Sequence, residues 1–347
     1  MKYCFILLIF STFLSFGQQQ ITENINYDGN DREYIIYIPQ SYSPSNPPPL
    51  LFAFHGGSGY AVDFMNYEAD FRPIADTAGF ILVYPQALSD PGDGGSTNWM
   101  HKEPTNHDDI YFVEALIDEI SLSYNIDNSR VYACGYSLGG IFSYELACRL
   151  NSSIAAISTV AGAAFIGAFD NCNLTHPTAV LSIPGTIDQI HPYNGNGWYF
   201  SVSEINNFWS SCNNTDLTPV INQLPDLSVT DGSTVERFSW INGDGCVEVE
   251  ELKITNGDHD WPSQVNGLGN QDIDASSEIW NFVSKFNLNG MINCNTTSDD
   301  LQILDNKDLN VIKTIDILGR SANKHVNNKI LFNILNNGKV EKKLIAN

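Results

Sequence analysis

A serine framed by glycines, between two regular elements, is the feature that most restricts how this chain can fold. Residues 135–140 read Gly-Tyr-Ser-Leu-Gly-Gly and stand directly between an apolar run at 131–134 and a helical run at 138–150. Only glycine two positions before and two after the serine lets the backbone pass closely enough for so tight a strand-to-helix turn. The alternative is an ordinary Gly-rich turn. The context favours a strained turn that presents Ser137 as a nucleophile.

Short apolar runs alternate with amphipathic segments over most of the chain. Strands are predicted at 50–54, 80–84, 131–134, 155–160, 179–183, 235–241 and 247–254, and a hairpin at 21–38. Helices are predicted at 71–78, from 108 or 109 to about 124, and at 138–150, 203–211 and 276–286. The pair Asp108-Asp109 could mimic a catalytic dyad, but a helix N-cap explains it more simply. Alternating strands and helices predict an α/β fold with a mainly parallel sheet and helices on both faces.

A serine hydroxyl needs a base and an orienting acid, which on this fold follow the serine in the order acid, then histidine. His259 follows the predicted strand 247–254 and precedes the last predicted helix, so it is the predicted base, with His191 as the alternative. Asp188 follows the strand 179–183 and is the predicted acid. Asp170 and Asp244 are weaker alternatives. Ser137, Asp188 and His259 are thus the candidate catalytic residues.

The oxyanion formed by serine attack needs two preorganised N–H donors, each worth on the order of 3 kcal/mol in the transition state. The backbone N–H of Leu138, next to the nucleophile, is one candidate. The second is expected in the glycine-rich turn His55-Gly56-Gly57 after the first inner strand. We assign Gly57, with Gly56 or Ser58 as alternatives, and His55 as a residue that supports this loop.

Aromatic side chains near these loops are candidates for shaping a substrate cleft. Trp261, Trp99 and Tyr60 are the predicted substrate-binding residues, and Trp198 is a further candidate. Core packing is the alternative for each of them.

Charge excludes one class of partner and suggests two modules. The 347 residues include 40 acidic and 17 basic side chains, for a formal charge of −23, which argues against a protein that follows nucleic-acid phosphates or adsorbs to anionic lipid. Residues 18–300 hold 36 acidic and 8 basic side chains, whereas residues 301–347 hold 4 acidic and 8 basic ones. This difference in charge suggests two modules.

The first 17 residues predict an export signal. A lysine at position 2 precedes an apolar run to residue 16, too short for a membrane span, and Ser15 and Gly17 permit cleavage nearby. The alternative is a buried N-terminal helix. We expect an exported protein without stable membrane insertion.

Export makes disulfides the expected state of the cysteines. Six remain beyond Cys4, and they allow 15 complete pairings. Local order favours Cys148 with Cys172 and Cys212 with Cys246, while Cys134 sits in an apolar run and is predicted to be a buried thiol. The spacing lacks the CxxC pairs of structural zinc sites, so no metal is predicted.

Taken together, five motifs resemble a known family. They are His55-Gly56-Gly57, Asp108-Asp109, residues 135–140, Gly185-Thr186-Ile187-Asp188 with Pro192-Tyr193-Asn194-Gly195, and His259-Asp260-Trp261-Pro262. In this order they resemble the secreted polyhydroxybutyrate depolymerase and feruloyl/acetylxylan esterase group of α/β hydrolases, over residues 20–288. The resemblance implies a Ser137, Asp188 and His259 triad without cofactor, and the same two disulfides. Pro184 and Asp258 depart from the histidine and glycine usual at these positions.

Residues 303–347 resemble the C-terminal sorting domain of type IX secretion, through Ile315-Asp316-Ile317-Leu318-Gly319-Arg320 and the segment 337–343. A small β accessory or sugar-binding module is the alternative. The predicted organisation is a signal peptide at 1–17, an α/β-hydrolase domain at 18–288, a linker at 289–302, and a small β-rich C-terminal module at 303–347 that would engage the secretion machinery.

The predicted function is that of a secreted serine carboxylic-ester hydrolase working through an acyl-enzyme. Its substrate would be polymeric, either a polyester or a polysaccharide bearing feruloyl or acetyl esters. A serine peptidase of the same fold, or a carbohydrate-binding homologue without activity, is the alternative.

Overall fold

A ten-stranded sheet organises most of the chain. The computed structural model describes residues 18–91, 94–99, 108–264, 267, 269–294, 311–316, 329–335 and 340–345. The strands within them are β1 (Gln19–Tyr27), β2 (Asn30–Ile38), β3 (Leu50–Phe54), β4 (Ile81–Pro85), β5 (Ser89–Asp90), β6 (Ser96–Thr97), β7 (Val131–Tyr136), β8 (Ala156–Val160), β9 (Ala179–Ile183), β10 (Val220–Gln223), β11 (Thr234–Trp240), β12 (Val249–Thr255), β13 (Phe286–Asn287), β14 (Gly290–Met291), β15 (Val311–Asp316), β16 (Lys329–Leu335) and β17 (Val340–Ile345).

Helices connect these strands. They are α1 (Ala61–Asp63), α2 (Arg72–Ala78), α3 (Asp109–Ser123), α4 (Leu138–Arg149), α5 (Val202–Cys212) and α6 (Ala275–Val283). A π-helical turn over Phe64–Glu68 continues α1, and 3-10 turns cover Ala168–Asn171 and Asp244–Cys246. The sequence patterns predicted α2 to α6 within a few residues, but missed α1 and the π-helical turn.

The six central strands of the sheet run parallel. Their spatial order is β4-β3-β7-β8-β9-β12. Antiparallel strands extend the sheet on both sides, with β2 and β1 beyond β4, and β11 and β10 beyond β12. The predicted α/β architecture and the N-terminal hairpin are confirmed. Because the central strands are parallel, their carboxyl ends meet at one edge, where sites of α/β proteins form.

Alternate residues of the central strands face two separate cores. In β3, Leu50, Phe52 and Phe54 pack into one core and Leu51 and Ala53 into the other. Helices α3, α4 and α5 cover the first core, while α2 and α6 cover the second. Every residue of β3 is buried, as expected for a strand covered on both faces. The prediction of helices on both faces is therefore confirmed.

The Asp108-Asp109 pair has a structural role. The Asp108 carboxylate accepts a hydrogen bond from the Ile110 N–H and caps α3. Arg149 pairs with Asp108, and Arg32 pairs with Asp109 at 2.7 Å. The cap interpretation is confirmed, and both carboxylates are engaged by arginines.

The first predicted disulfide is present, and the second is wrong. The structure joins Cys148 to Cys172. Cys246 is bonded to Cys294, so its partner is not Cys212. Order along the chain missed this because the short hairpin β13–β14 lies between α6 and residue 294, and it contacts the turn that contains Cys246. Cys134 is a buried thiol in β7, as predicted.

The linker begins later than composition indicated. Leu288 donates its N–H to the Ser129 carbonyl, and Cys294 is anchored by its disulfide, so residues 289–294 belong to the α/β unit. The predicted start at residue 289 is therefore corrected, and residues 295–310 lie outside the described part.

A separate three-stranded antiparallel sheet, β15-β16-β17, forms the β-rich C-terminal module. Leu331 and Phe332 of β16 are buried. The sequence pattern predicts two of these strands, at 311–318 and 330–335, but not the third. Residues 317–318 lie outside the described residues. In the part of the chain that the structure describes, no helix is long and apolar enough to cross a bilayer. The predicted signal peptide at 1–17 lies outside that part.

Helix α4 approaches the end of β3 so closely that no side chain fits between them. A Cβ added to Gly139 would overlap the Phe54 carbonyl oxygen and lie 2.7 Å from that of His55. A Cβ on Gly135 would lie 2.9 Å from Gly139 Cα. Contacts this short are essentially never tolerated by a real Cβ, so glycine is required at both positions.

We predict that Gly139→Ala destabilises the fold by about 3 kcal/mol or more, because two backbone carbonyls must move to admit the methyl group. Gly197→Ala is the matched control, since no atom lies within 4 Å of its added Cβ. Denaturant unfolding of both variants measures the difference. Equal midpoints would show that the crossing is looser than the structure indicates.

We also predict that non-reducing peptide mapping will recover the Cys246 peptide linked to the Cys294 peptide. The bond closes a segment with a sequence separation of 48. The chain-entropy model therefore predicts that Cys294→Ala lowers the free energy of unfolding by about 4 kcal/mol. A Cys212–Cys246 peptide in the map would contradict the pairing.

Candidate active site

Ser137 occupies a sharp turn between β7 and α4. Its backbone has φ 53° and ψ −117°, a conformation that L-residues rarely adopt. Such a residue stores about 1–3 kcal/mol of strain and persists only where its surroundings enforce it. The Gly135 and Gly139 contacts do so here. The predicted strained turn is present, and it exposes the serine at the carboxyl edge of the sheet.

The three candidate catalytic side chains form one hydrogen-bonded line. His259 Nε2 lies 2.9 Å from Ser137 Oγ, and His259 Nδ1 lies 2.7 Å from Asp188 Oδ2. Ser137 follows β7, Asp188 follows β9 and His259 follows β12, so the shared edge brings together residues 122 and 71 positions apart. Ser137, Asp188 and His259 therefore meet in one place.

Asp188 is held as a carboxylate. Its other oxygen, Oδ1, accepts hydrogen bonds from two backbone N–H groups. The Ile190 nitrogen lies 2.8 Å away and the His191 nitrogen 2.9 Å away. Burial alone would raise the pKa of Asp188, but the hydrogen bond from His259 and these two N–H donors outweigh it, so the pKa lies below its usual value. With Asp188 ionised, the proton on His259 stays on Nδ1, and Nε2 is left to accept from the serine hydroxyl.

His191, the alternative base, lies in the wall of the site. Its ring packs edge-on against His259, with centroids 5.1 Å apart. Its Nδ1 is 2.6 Å from the Ala161 carbonyl, and burial lowers its pKa. The ring is therefore neutral at neutral pH, and Nδ1 is the protonated nitrogen. Since Ser137 is hydrogen-bonded to His259, the base is His259, and His191 is only its neighbour.

The oxyanion loop lies against the start of α4. A Cβ added to Gly57 would be 2.6 Å from Leu138 Cδ1, so the two residues predicted to supply the donors are neighbours. The Ser58 N–H already donates to the Thr97 carbonyl at 2.7 Å, which removes the Ser58 alternative. The Gly59 N–H donates to Gly56 and closes the turn. Leu138 and Gly57 remain the candidate donors, with Gly56 still the alternative to Gly57.

His55 supports this loop from below. It is buried, its Nδ1 is 2.7 Å from the Gly56 carbonyl, and its Nε2 accepts the Ala87 N–H at 3.2 Å. Burial lowers its pKa to about 4, so the ring is neutral. The supporting role expected for His55 fits these contacts.

Trp99 does not line a substrate cleft. It is 0% exposed and stacks on Phe142 with centroids 4.9 Å apart. Its indole N–H donates to the His55 carbonyl at 2.8 Å. The substrate-binding prediction is corrected: Trp99 belongs to the core and braces the oxyanion loop, because its ring falls on the inner side of the loop.

Trp261 is likewise a packing residue. It is 3% exposed and packs edge-on against Phe64 at 5.4 Å and Phe71 at 6.2 Å. Closeness to His259 in sequence suggested a cleft position, but the chain turns inward after residue 260. Tyr60, in contrast, is 56% exposed at the end of the oxyanion loop, where a bound molecule can reach it.

Exposed apolar side chains lie in and near the acid loop; Trp198 was a candidate from the sequence, whereas Ile166, Ile187 and Ile190 were missed. Ile187 and Ile190 flank Asp188 and are exposed. Trp198, 76% exposed, lies beside exposed Ile166, whose N–H donates to the Trp198 carbonyl. We name Ile166, Ile187, Ile190 and Trp198 the apolar rim. No periodic pattern marks these residues, because each stands in a loop.

Three relatives illustrate what the sequence is similar to. Feruloyl esterase C of Emericella nidulans is 30% identical over 252 residues, which are 70% of this chain and 81% of that protein. The bifunctional acetylxylan esterase/xylanase XynS20E of Neocallimastix patriciarum is 25% identical over 265 residues, 76% of this chain and 35% of that protein. The chain thus spans about a third of that relative, and 63% of the probable feruloyl esterase C of Aspergillus flavus, to which it is 31% identical over 52% of its own residues.

Among solved structures, an acetyl xylan esterase from Aspergillus awamori matches with a TM-score of 0.48 and 16% identity, over 70% of this chain and 94% of that one. No family model matches the sequence. The similarity to the Emericella protein covers most of both chains, and the strand order and the strained serine turn are those of an α/β hydrolase. The chain belongs to the feruloyl esterase C family.

Proposed function

We propose that this protein is a serine esterase that hydrolyses carboxylic esters through an acyl-enzyme. One observation carries the proposal: the His259 imidazole lies within hydrogen-bond distance of both Ser137 Oγ and Asp188 Oδ2. A base placed in this way activates a serine that would otherwise be a weak nucleophile.

In the proposed reaction, Ser137 Oγ attacks the ester carbonyl carbon while His259 Nε2 takes the hydroxyl proton. The carbonyl oxygen becomes an oxyanion, which the N–H groups of Gly57 and Leu138 would stabilise. His259 then donates its proton to the departing alcohol. Water attacks the acyl-enzyme by the same route and releases the carboxylic acid. Asp188 stabilises the imidazolium that forms in each half-reaction.

For the substrate, we propose feruloyl or acetyl esters of a polysaccharide. The names of the relatives support this choice, since they are feruloyl esterases and an acetylxylan esterase. A polyester of the polyhydroxybutyrate type is the second candidate. It is favoured by the exposed apolar rim, in which Ile187 and Ile190 flank Asp188, because such side chains suit an apolar polymer surface.

We further propose that the protein is exported and that its C-terminal module is a sorting signal. The apolar N-terminal run and the two disulfides support export. The three-stranded sheet and its basic composition are compatible with a module separate from the acidic catalytic unit.

We predict that Ser137→Ala abolishes turnover of p-nitrophenyl acetate, methyl ferulate, acetylated xylan or polyhydroxybutyrate film, whichever the wild-type enzyme hydrolyses. It should also abolish labelling by a fluorophosphonate. The matched control is Ser203→Ala, an exposed serine in α5, which should keep both. Equal rates for wild type and Ser137→Ala would refute the esterase, and the preferred substrate identifies the polymer.

We predict that Asp188→Asn lowers kcat by about 10³–10⁴-fold, because the amide no longer fixes the imidazole tautomer or stabilises its charge. Asp260→Asn changes a carboxylate one residue from His259 and should alter kcat little. Steady-state kinetics of both variants measure the effect. A larger loss in Asp260→Asn would mean that the acid has been assigned to the wrong residue.

A further inference from the structure

His259 stands in a loop, and two side chains hold its peptide groups. Its N–H donates to Asp258 Oδ1 at 2.9 Å, within the same loop. Its carbonyl accepts a hydrogen bond from the Tyr136 hydroxyl at 2.6 Å. Of these two contacts, only the second reaches another part of the fold. Tyr136 therefore connects the loop of the base to the rigid sheet.

Tyr136 is the last residue of β7 and directly precedes Ser137. The same strand end thus carries the nucleophile and the group that holds the base, although His259 is 123 positions away. The Tyr136 ring lies 5.3 Å from the His259 ring and 6.4 Å from Trp261. Packed on these two sides and anchored in a central strand, the phenol has a defined position.

The hydroxyl of Tyr136 remains a hydrogen-bond donor. Burial raises its pKa, and the nearby carboxylates of Glu68, Asp260, Asp188 and Asp258 raise it further. A carbonyl needs a donor, and the phenol stays protonated at any pH at which the enzyme would work.

We propose that Tyr136 is a positioning residue, whose hydroxyl holds the His259 main chain so that Nε2 stays within bonding distance of Ser137 Oγ. This inference rests on the proposed esterase function. Without the hydroxyl, the loop keeps the bond from the Ile187 N–H to the Gly257 carbonyl and the pairing of His259 with Asp188, but the His259 carbonyl loses its bond to the end of β7. The imidazole then samples positions from which it cannot take the serine proton, and misplacement by about 1 Å can cost up to 100-fold in rate.

The test compares Tyr136→Phe with Tyr132→Phe. Both residues lie on β7, both changes delete one oxygen, and both break a hydrogen bond to a backbone carbonyl, since Tyr132 donates to the Phe286 carbonyl at 2.7 Å. Tyr132 lies beneath the sheet edge, away from His259, so its variant reports only the stability cost of the lost bond. The kcat and KM for a soluble ester, the rate of fluorophosphonate labelling and the unfolding midpoint are measured for each.

For Tyr136→Phe we expect kcat and the labelling rate to fall about tenfold or more, with KM little changed and an unfolding midpoint close to that of Tyr132→Phe. Assays run at a temperature where circular dichroism finds both variants folded. Equal kcat values for the two variants would overturn the positioning role. A change in KM with kcat unchanged would overturn it as well. A wild type without esterase activity would instead refute the proposed function.

Discussion

The contact between the start of α4 and the end of β3 is the constraint on which the site depends. Because Gly139 lies against the Phe54 and His55 carbonyls, the chain leaving β7 must reverse within one residue. Ser137 therefore takes a positive φ, directly after the last residue of β7. The same approach sets Leu138 beside Gly57. One steric constraint thus positions the nucleophile and brings together the two residues that are candidate oxyanion donors.

Parallel pairing of the central strands brings the acid and the base to the nucleophile. Strands β7, β8, β9 and β12 are consecutive neighbours, so residues that follow β7, β9 and β12 emerge at the same edge. Asp188 is then fixed by two N–H groups of its own loop, and it holds His259 in turn. The acid is preorganised by short-range contacts, whereas the histidine relies on contacts from two other strand ends.

Sequence could predict what depends on local pattern and chain order. The glycines around Ser137, the strand before Asp188 and the strand before His259 are all visible as short motifs, and the parallel topology follows from alternating elements.

Features that depend on which side of a loop faces inward were not predictable. Trp261 lies two residues after His259 and Trp99 stands in a loop, yet both rings turn into the core. The Cys246–Cys294 bond depends on a hairpin of two-residue strands, too short to have a periodic pattern. The hydrogen bond from the Tyr136 hydroxyl to the His259 carbonyl was not predictable either, because it joins residues 123 positions apart.

The acidic character of the molecule bears on the proposed reaction as well as on its partners. Ester hydrolysis turns a neutral acyl group into a carboxylate beside Asp188, with exposed Asp258 and Asp260 in the same region. Two like charges about 10 Å apart repel by roughly 1–2 kcal/mol at an effective dielectric constant near 20. That repulsion weakens product binding by about tenfold, while a neutral ester is unaffected. In the proposed reaction, the carboxylates around His259 therefore favour release of the acid product over its rebinding.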